Sequence, residues 1–288
     1  MSGGFVRCWG GNSAGELGDG TTNDCLLPVI VEGVSTATAL EAGSVNTCML
    51  VDNGTVKCTG TLYLDADLSL VISDTTPYDV FPGKIATSVC DGGLHACALI
   101  SDGTVQCIGY NYTGQLGSET AVAGKATEVT GITNATAISC GGGHTCALLT
   151  DHTIACWGDN FSLQLGDANL AYSATPVLVP GITNATAVAA GGGFTCAVMS
   201  DKTARCWGSD EAGQLGNNSH VNVATPVSVL KSDLSGPLSG ITVLATGASH
   251  VCAILKSNQV YCWGANEFGQ LGDGSTVEHP TPVPVQGL

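Results

Sequence analysis

The chain has 288 residues and a formal charge of −16, from 24 acidic and eight basic side chains. The basic residues Arg7, Lys57, Lys84, Lys125, Lys202, Arg205, Lys231 and Lys256 are scattered, with no two adjacent. That excludes a phosphate-neutralising nucleic-acid surface and repels anionic membranes. An apolar fraction of 44% with 40 glycines points to a packed, turn-dense fold, and no apolar run is long enough to insert in a bilayer.

The first segment carries Cys8-Trp9-Gly10, then Leu17-Gly18, then Cys25 and Pro28 at the head of a valine-rich run. This order recurs. Cys8, Cys58, Cys107, Cys156, Cys206 and Cys262 follow one another at intervals of 50, 49, 49, 50 and 56 residues. Trp-Gly recurs at Trp157-Gly158, Trp207-Gly208 and Trp263-Gly264, and Leu-Gly at Leu116-Gly117, Leu165-Gly166, Leu215-Gly216 and Leu271-Gly272. A period near 50 with fixed internal offsets means stacked copies of one supersecondary unit. With no helical stripe and many Gly, Asn, Asp and Pro breaks, each unit reads as short strands. The fold class is therefore all-β, and the unbroken repeat predicts a single domain over residues 1–288. Four-stranded units of about 50 residues suit propeller blades, whose radial closure leaves few edges exposed.

From the second unit onward, two cysteines lie ten residues apart: Cys48/Cys58, Cys97/Cys107, Cys146/Cys156, Cys196/Cys206 and Cys252/Cys262. Between them stands an apolar run, a turn such as Ser101-Asp102-Gly103-Thr104, and a second short run. The turn folds the segment into a hairpin with its ends opposite each other. Facing Cα atoms then sit roughly 4.5–5.5 Å apart, within disulfide reach. Cys90 and Cys140, read as equivalent positions in neighbouring repeats, each just ahead of a glycine-rich turn, are expected to bridge two blades, and Cys8 and Cys25 are left to pair with each other, giving seven disulfides. Zinc sites commonly space ligands two to four residues apart, and no Cys-x-x-Cys occurs; no metal is expected. Disulfides imply an oxidising compartment, so an extracellular, cell-surface or periplasmic protein is expected. Met1-Ser2-Gly3-Gly4 resembles no export signal, and such a signal is expected to have been removed.

His95, His144 and His250 share one repeat position with Asn46 and Phe194. Since two of the five cannot ligate through imidazole, the position reads as structural, with the histidine bonded to a neighbouring turn. Asp19, Asp167 and Asp273 follow the Leu-Gly turn, and Asp65, Asp67 and Asp74 cluster in the second unit; neither set has the spacing of a calcium loop, and turn aspartates commonly cap their own backbone. Gly-x-Ser-x-Gly, His-Glu-x-x-His and Gly-x-x-x-x-Gly-Lys are all missing. No enzyme and no cofactor are expected.

The repeat breaks in the second unit. Thr59 stands where tryptophan recurs, and Thr61-Leu62-Tyr63-Leu64-Asp65-Ala66-Asp67-Leu68 replaces the Gly-Gln-Leu-Gly turn, with Tyr78 and Phe81 further along. Scaffold positions repeat, whereas a specific contact surface has reason to depart from the repeat. Tyr63, Leu64, Asp67, Tyr78 and Phe81 are therefore the candidate partner-binding residues, apolar and aromatic groups beside acids as at an interface core with a charged rim. A longer loop around Leu230–Pro237 marks the fifth unit.

Cys-Trp-Gly, Asn-x-x-Gly-Gln-Leu-Gly, Thr-Pro-Val and Gly-Gly-x-His-x-Cys-Ala-Leu together resemble the repeat of the regulator-of-chromosome-condensation propeller family, over essentially the whole chain. The resemblance implies a β-propeller. Six repeat units with one incomplete blade are expected, the alternative being part of the seven-bladed ring usual in the family. The founding member binds chromatin and exchanges nucleotide on a small GTPase, and no residues here match that exchange surface. The expected function is a non-enzymatic extracytoplasmic scaffold presenting loops to an unidentified protein or cell-surface macromolecule, with no nucleic acid partner and no membrane insertion. The alternatives are an assembly protein that self-associates through unpaired edge strands, or an intracellular GTPase regulator with reduced thiols.

Overall fold

The computed structural model describes residues 4–63, 71–122 and 124–288. Among these there are strands and turns and no helix. Two strands, β1 (Arg7–Gly10) and β2 (Cys25–Ile30), form a two-stranded sheet. Five four-stranded antiparallel sheets follow, formed by β3 (Ala37–Ala42), β4 (Asn46–Val51), β5 (Val56–Tyr63) and β6 (Val71–Asp79); by β7 (Ala86–Asp91), β8 (His95–Ile100), β9 (Val105–Gly109) and β10 (Thr127–Glu128); by β11 (Ala135–Cys140), β12 (His144–Leu149), β13 (Ile154–Asp159) and β14 (Tyr172–Leu178); by β15 (Ala185–Ala190), β16 (Phe194–Met199), β17 (Ala204–Gly208) and β18 (Val223–Ser228); and by β19 (Ile241–Thr246), β20 (His250–Leu255), β21 (Val260–Gly264) and β22 (His279–Pro284). Each sheet is one blade, with strands in sequence order. Among the described residues the count is five full blades and one two-stranded blade, as the repeat predicts.

The cysteine pairs fix the register of every full blade. Cys48↔Cys58, Cys97↔Cys107, Cys146↔Cys156, Cys196↔Cys206 and Cys252↔Cys262 are directly opposed between the second and third strands, and all five are disulfides with Cα–Cα distances of 4.0–4.1 Å. A slip of one residue would turn every side chain to the other face, and the covalent bond forbids it.

Two cysteine expectations need correction. Cys90 and Cys140 do form a disulfide, but their positions are not equivalent: Cys90 stands five residues before His95, and Cys140 four before His144. The offset lets the two inner strands meet, because successive side chains along a strand point to opposite faces. Ser139, in the Cys90 position, reaches across the next blade boundary by accepting from Ala190 N through Oγ at 2.9 Å. Cys8 and Cys25 are free thiols. Their strands do pair, but Cys8 lies opposite Val29 and Cys25 opposite Gly10, so the register separates them. Six disulfides and two thiols replace the expected seven disulfides.

The core lies between blades. β4, β8, β12 and β16 are buried at every position. One apolar layer joins Leu148, Ile154, Leu165 and Val179 of one blade to Ala197, Met199 and Trp207 of the next. Trp157, Trp207 and Trp263 are wholly buried, and each indole Nε1 donates to a backbone carbonyl in the preceding blade: Gln115 at 3.0 Å, Gln164 at 2.8 Å and Gln214 at 3.0 Å. Burying an aromatic ring while satisfying its one donor makes this position a strong blade-to-blade anchor.

The hairpin turns also latch the blades. The carbonyls of Gly54, Gly103, His152 and Lys202 accept from Ala86, Ala135, Ala185 and Ile241, which open the next blades. This turn position has positive φ, occupied by glycine at Gly54 (82°) and Gly103 (86°) but by His152 (65°) and Lys202 (67°) elsewhere. An L side chain there costs on the order of 1 kcal/mol through its Cβ. Lys202→Gly is therefore expected to raise stability by several tenths to about 1 kcal/mol, the relief of strain exceeding the added unfolded-state entropy; urea unfolding with an unchanged slope measures it, and a loss of stability would refute the strain.

Candidate functional site

The repeat position shared by Asn46, His95, His144, Phe194 and His250 starts the second strand of each blade. His95 Nε2 lies 2.8 Å from Thr145 Oγ1 and His144 Nε2 lies 2.9 Å from Thr195 Oγ1, each in the following blade. Thr145 and Thr195 in turn donate to the carbonyls of Gln115 and Gln164. A hydroxyl has one hydrogen, so it accepts from the histidine, which carries its proton on Nε2. Phe194 meets no threonine: Val251 occupies that place in the next blade, both residues being wholly buried in one apolar cluster. Asn46 is followed in the next blade by Ala96, and its Nδ2 turns instead to Asp91 Oδ2 at 2.6 Å. Polar residues meet polar ones across a blade boundary and apolar ones meet apolar ones. His95 and His144 each pair with a strand of the following blade, where a neighbouring turn is expected as partner.

Burial pushes His95 down to about 4 and His144 to about 3, the latter also through His95; both are neutral at pH 7. Because the folded-state pKa lies below the unfolded value, each contributes stability that is present above the unfolded pKa and lost as pH falls toward the folded one. Asp91 acts oppositely. Burial raises it to about 7 against the hydrogen bonds from Gly93 and Asn46, with Glu41 raising it further, so its contribution is lost as pH rises through that value.

Asp91 lines an open cavity of about 330 Å³ where the inner-strand ends of five blades converge. Glycines 43, 92, 141, 191 and 247 form much of its wall. A Cβ on Gly92 would fall 2.4 Å from Gly141 O, so the blades meet there only because no side chain intervenes. Asp91 is the one carboxylate among its lining residues.

The break in the repeat is a structural departure as well. β5 and β6 run for 8 and 9 residues, longer than every other strand among the described residues. Leu64 and Asp67 lie outside the described residues; Tyr63 ends β5, opposite Val71. The hairpin base is tied to the first unit: Thr59 Oγ1 lies 2.8 Å from both Gly15 O and Asp74 O, and Gly20 N donates to Thr75 O at 2.9 Å. Tyr78 is half-buried, its hydroxyl without a partner among the described residues and pushed up to about 12, chiefly by burial and then by Asp74. Phe81 offers no contact surface. It is 2% exposed in a cluster with Leu62 and Val80, because the chain turns inward after β6. The sequence shows an aromatic outside the repeat but not its direction.

Sequence and structure comparisons agree with this geometry. Two descriptions of the regulator of chromosome condensation (RCC1) repeat match, one at residues 151–198, 206–254 and 257–288, the other at 135–164, 185–214 and 241–270. The chain is an RCC1-repeat β-propeller. A 48-residue stretch is 48% identical to the human E3 ubiquitin-protein ligase HERC2, covering 17% of this chain and 1% of that protein. A structure of Kap60 bound to yeast RCC1 (Prp20) aligns with TM-score 0.83 and 21% identity, over 99% of this chain and 71% of that one. Human WBSCR16 aligns with TM-score 0.85 and 20% identity, over 98% and 76%. At such identities the structural likeness concerns the fold.

Replacing His95 and Thr145 together by Phe and Val, the pair found at Phe194 and Val251, removes one histidine that resists protonation. The double variant is expected to stay folded and to lose less stability than the wild type from pH 7 to 5, by on the order of 2 kcal/mol. Chemical unfolding at the two pH values tests this; parallel losses would show that His95 is not a source of the acid sensitivity.

Proposed function

We propose that this RCC1-repeat propeller is a non-enzymatic scaffold acting outside the cytoplasm, and that it binds a protein or other macromolecule through the extended β5–β6 hairpin. The observation that carries the reading is the coincidence of the sequence break with the longest strands in the fold. The other blades spend the same interval on a tight turn held by an asparagine or aspartate side chain, such as Asn160 Oδ1 accepting from Leu165 N. A hairpin that extends beyond that turn costs ordered backbone, and a contact surface would offset the cost. Tyr63, Leu64 and Asp67 are the proposed contacts, with Tyr78 at the base. Six disulfides support an oxidising compartment, and the charge of −16 favours a basic or neutral partner surface.

Immobilised chain should retain a partner from extracellular fractions that Tyr63→Ala/Leu64→Ala/Asp67→Ala loses at least tenfold in affinity. Phe161→Ala, on an exposed residue of another blade, should leave retention unchanged. Equal retention by wild type and the folded triple variant would contradict the assignment. Phe81→Ala should lower stability by about 3–5 kcal/mol as a core truncation.

A further inference from the structure

Among the described residues, Cys90–Cys140 is the one covalent bond between blades. At the next boundaries hydrogen bonds serve in its place: Ser139 Oγ accepts from Ala190 N at 2.9 Å, and Thr246 Oγ1 donates to Ala190 O at 2.9 Å. The sulfurs here are also crowded. Cys90, Cys97 and Cys140 are buried, and their Sγ atoms all lie within 4.8 Å of one another. The interblade disulfide therefore stands against the hairpin disulfide Cys97–Cys107. The register explains the crowding. β7, β8 and β9 are neighbours in that order, with Cys90 facing Cys97 and Cys97 facing Cys107. In the other full blades the first-strand residue facing the hairpin cysteine is Glu41, Ser139, Ala189 or Ala245, none of which exchanges with a disulfide.

We propose that Cys90, Cys97, Cys107 and Cys140 form one thiol–disulfide exchange site, which takes a small dithiol as co-reactant and relays reduction from the interblade bond to the hairpin bond. Cys140 lines the axial cavity of about 330 Å³, and there a thiolate of the dithiol attacks its Sγ. The Cys90–Cys140 bond breaks, and Cys90 leaves as the thiolate. The second thiolate of the dithiol closes the dithiol's own disulfide and releases Cys140. Cys90 then attacks Cys97: the Cys90–Cys97 bond forms as Cys97–Cys107 breaks, and Cys107 leaves as the thiolate. The two protons of the dithiol end on Cys140 and Cys107, and its two electrons reduce one disulfide in all. Strand order suits the relay step. Displacement at sulfur runs along the line of the breaking bond, and β7 brings Cys90 to the side of β8 opposite the leaving Cys107 on β9. One reduction at the cavity wall thus removes the tether between two blades and moves the clamp from β8–β9 to β7–β8. β9 is then held on its outer side by two residue pairs with β10. The site is separate from the β5–β6 hairpin and its chemistry needs no macromolecular partner, so the two assignments stand or fall independently.

The test uses the full chain carrying Cys8→Ser and Cys25→Ser, which removes the two free thiols. Adding Cys140→Ser leaves Cys90 unpaired beside the intact hairpin bond, so exchange needs no reductant. After folding, the protein is quenched in acid, alkylated with N-ethylmaleimide under denaturing conditions and mapped by peptide. Label should divide between Cys90 and Cys107, with a Cys90–Cys97 linked peptide. Limited reduction of the parent chain by dithiothreitol, to two thiols per molecule, gives the same readout without the Cys140 substitution. There Cys140 should be labelled together with Cys107, and Cys90 linked to Cys97. Label confined to Cys90, or to Cys90 and Cys140 in the parent, would overturn the proposal. So would a Cys97–Cys140 bond, which makes Cys140 the nucleophile, or label spread to Cys146 and Cys156, which marks scrambling on unfolding.

Discussion

The fold depends on one covalent constraint, the facing cysteines that close the central hairpin of each full blade. A hairpin is marginal alone, and a blade buries its apolar face only against its neighbours. Fixing the register of the second and third strands therefore determines which side chains enter every inter-blade layer. From that register follow the tryptophans that reach the preceding blade, the histidine–threonine pairs that reach the following one, and the small residues that let the inner strands meet. Each closed loop also removes unfolded-state entropy, worth on the order of 2–3 kcal/mol in the chain-entropy account.

The two-stranded blade shows the same logic by subtraction. Among the described residues it has the third-strand cysteine, the tryptophan and the outer strand, and no second strand beside them. Cys8 stays a thiol and Trp9 stays in solvent, while identical residues elsewhere are bonded and buried. Burial here is therefore a property of the neighbouring strand as much as of the residue, the expected behaviour of quasi-one-dimensional repeats.

Much of this was legible in the amino-acid order, because a repeat states its own spacing several times over. The strand class, the blade size and the five hairpin disulfides all follow from offsets that recur. What recurs less was harder to read. Cys90 and Cys140 look equivalent until the one-residue offset is set against the strand register, and Cys8 and Cys25 look complementary until β1 and β2 are paired. Phe81 interrupts the pattern, yet it turns into the core, because direction depends on where β6 ends. The His95–Thr145 pairing was hidden for a different reason: its partners lie 50 residues apart, and only the packing of blades reveals which of two repeat positions meet.

The compartment and the scaffold role rest together on the oxidised state of the cysteines. The most direct measurement is intact mass after thiol alkylation under denaturing conditions, with and without prior reduction, on protein taken from its native source. Protection of the ten hairpin cysteines and of Cys90 and Cys140 before reduction, and their alkylation after it, mapped by peptide, are the result this account predicts. Alkylation of those cysteines without reduction would contradict it, removing the constraint on which the blade register depends and the argument for an oxidising compartment.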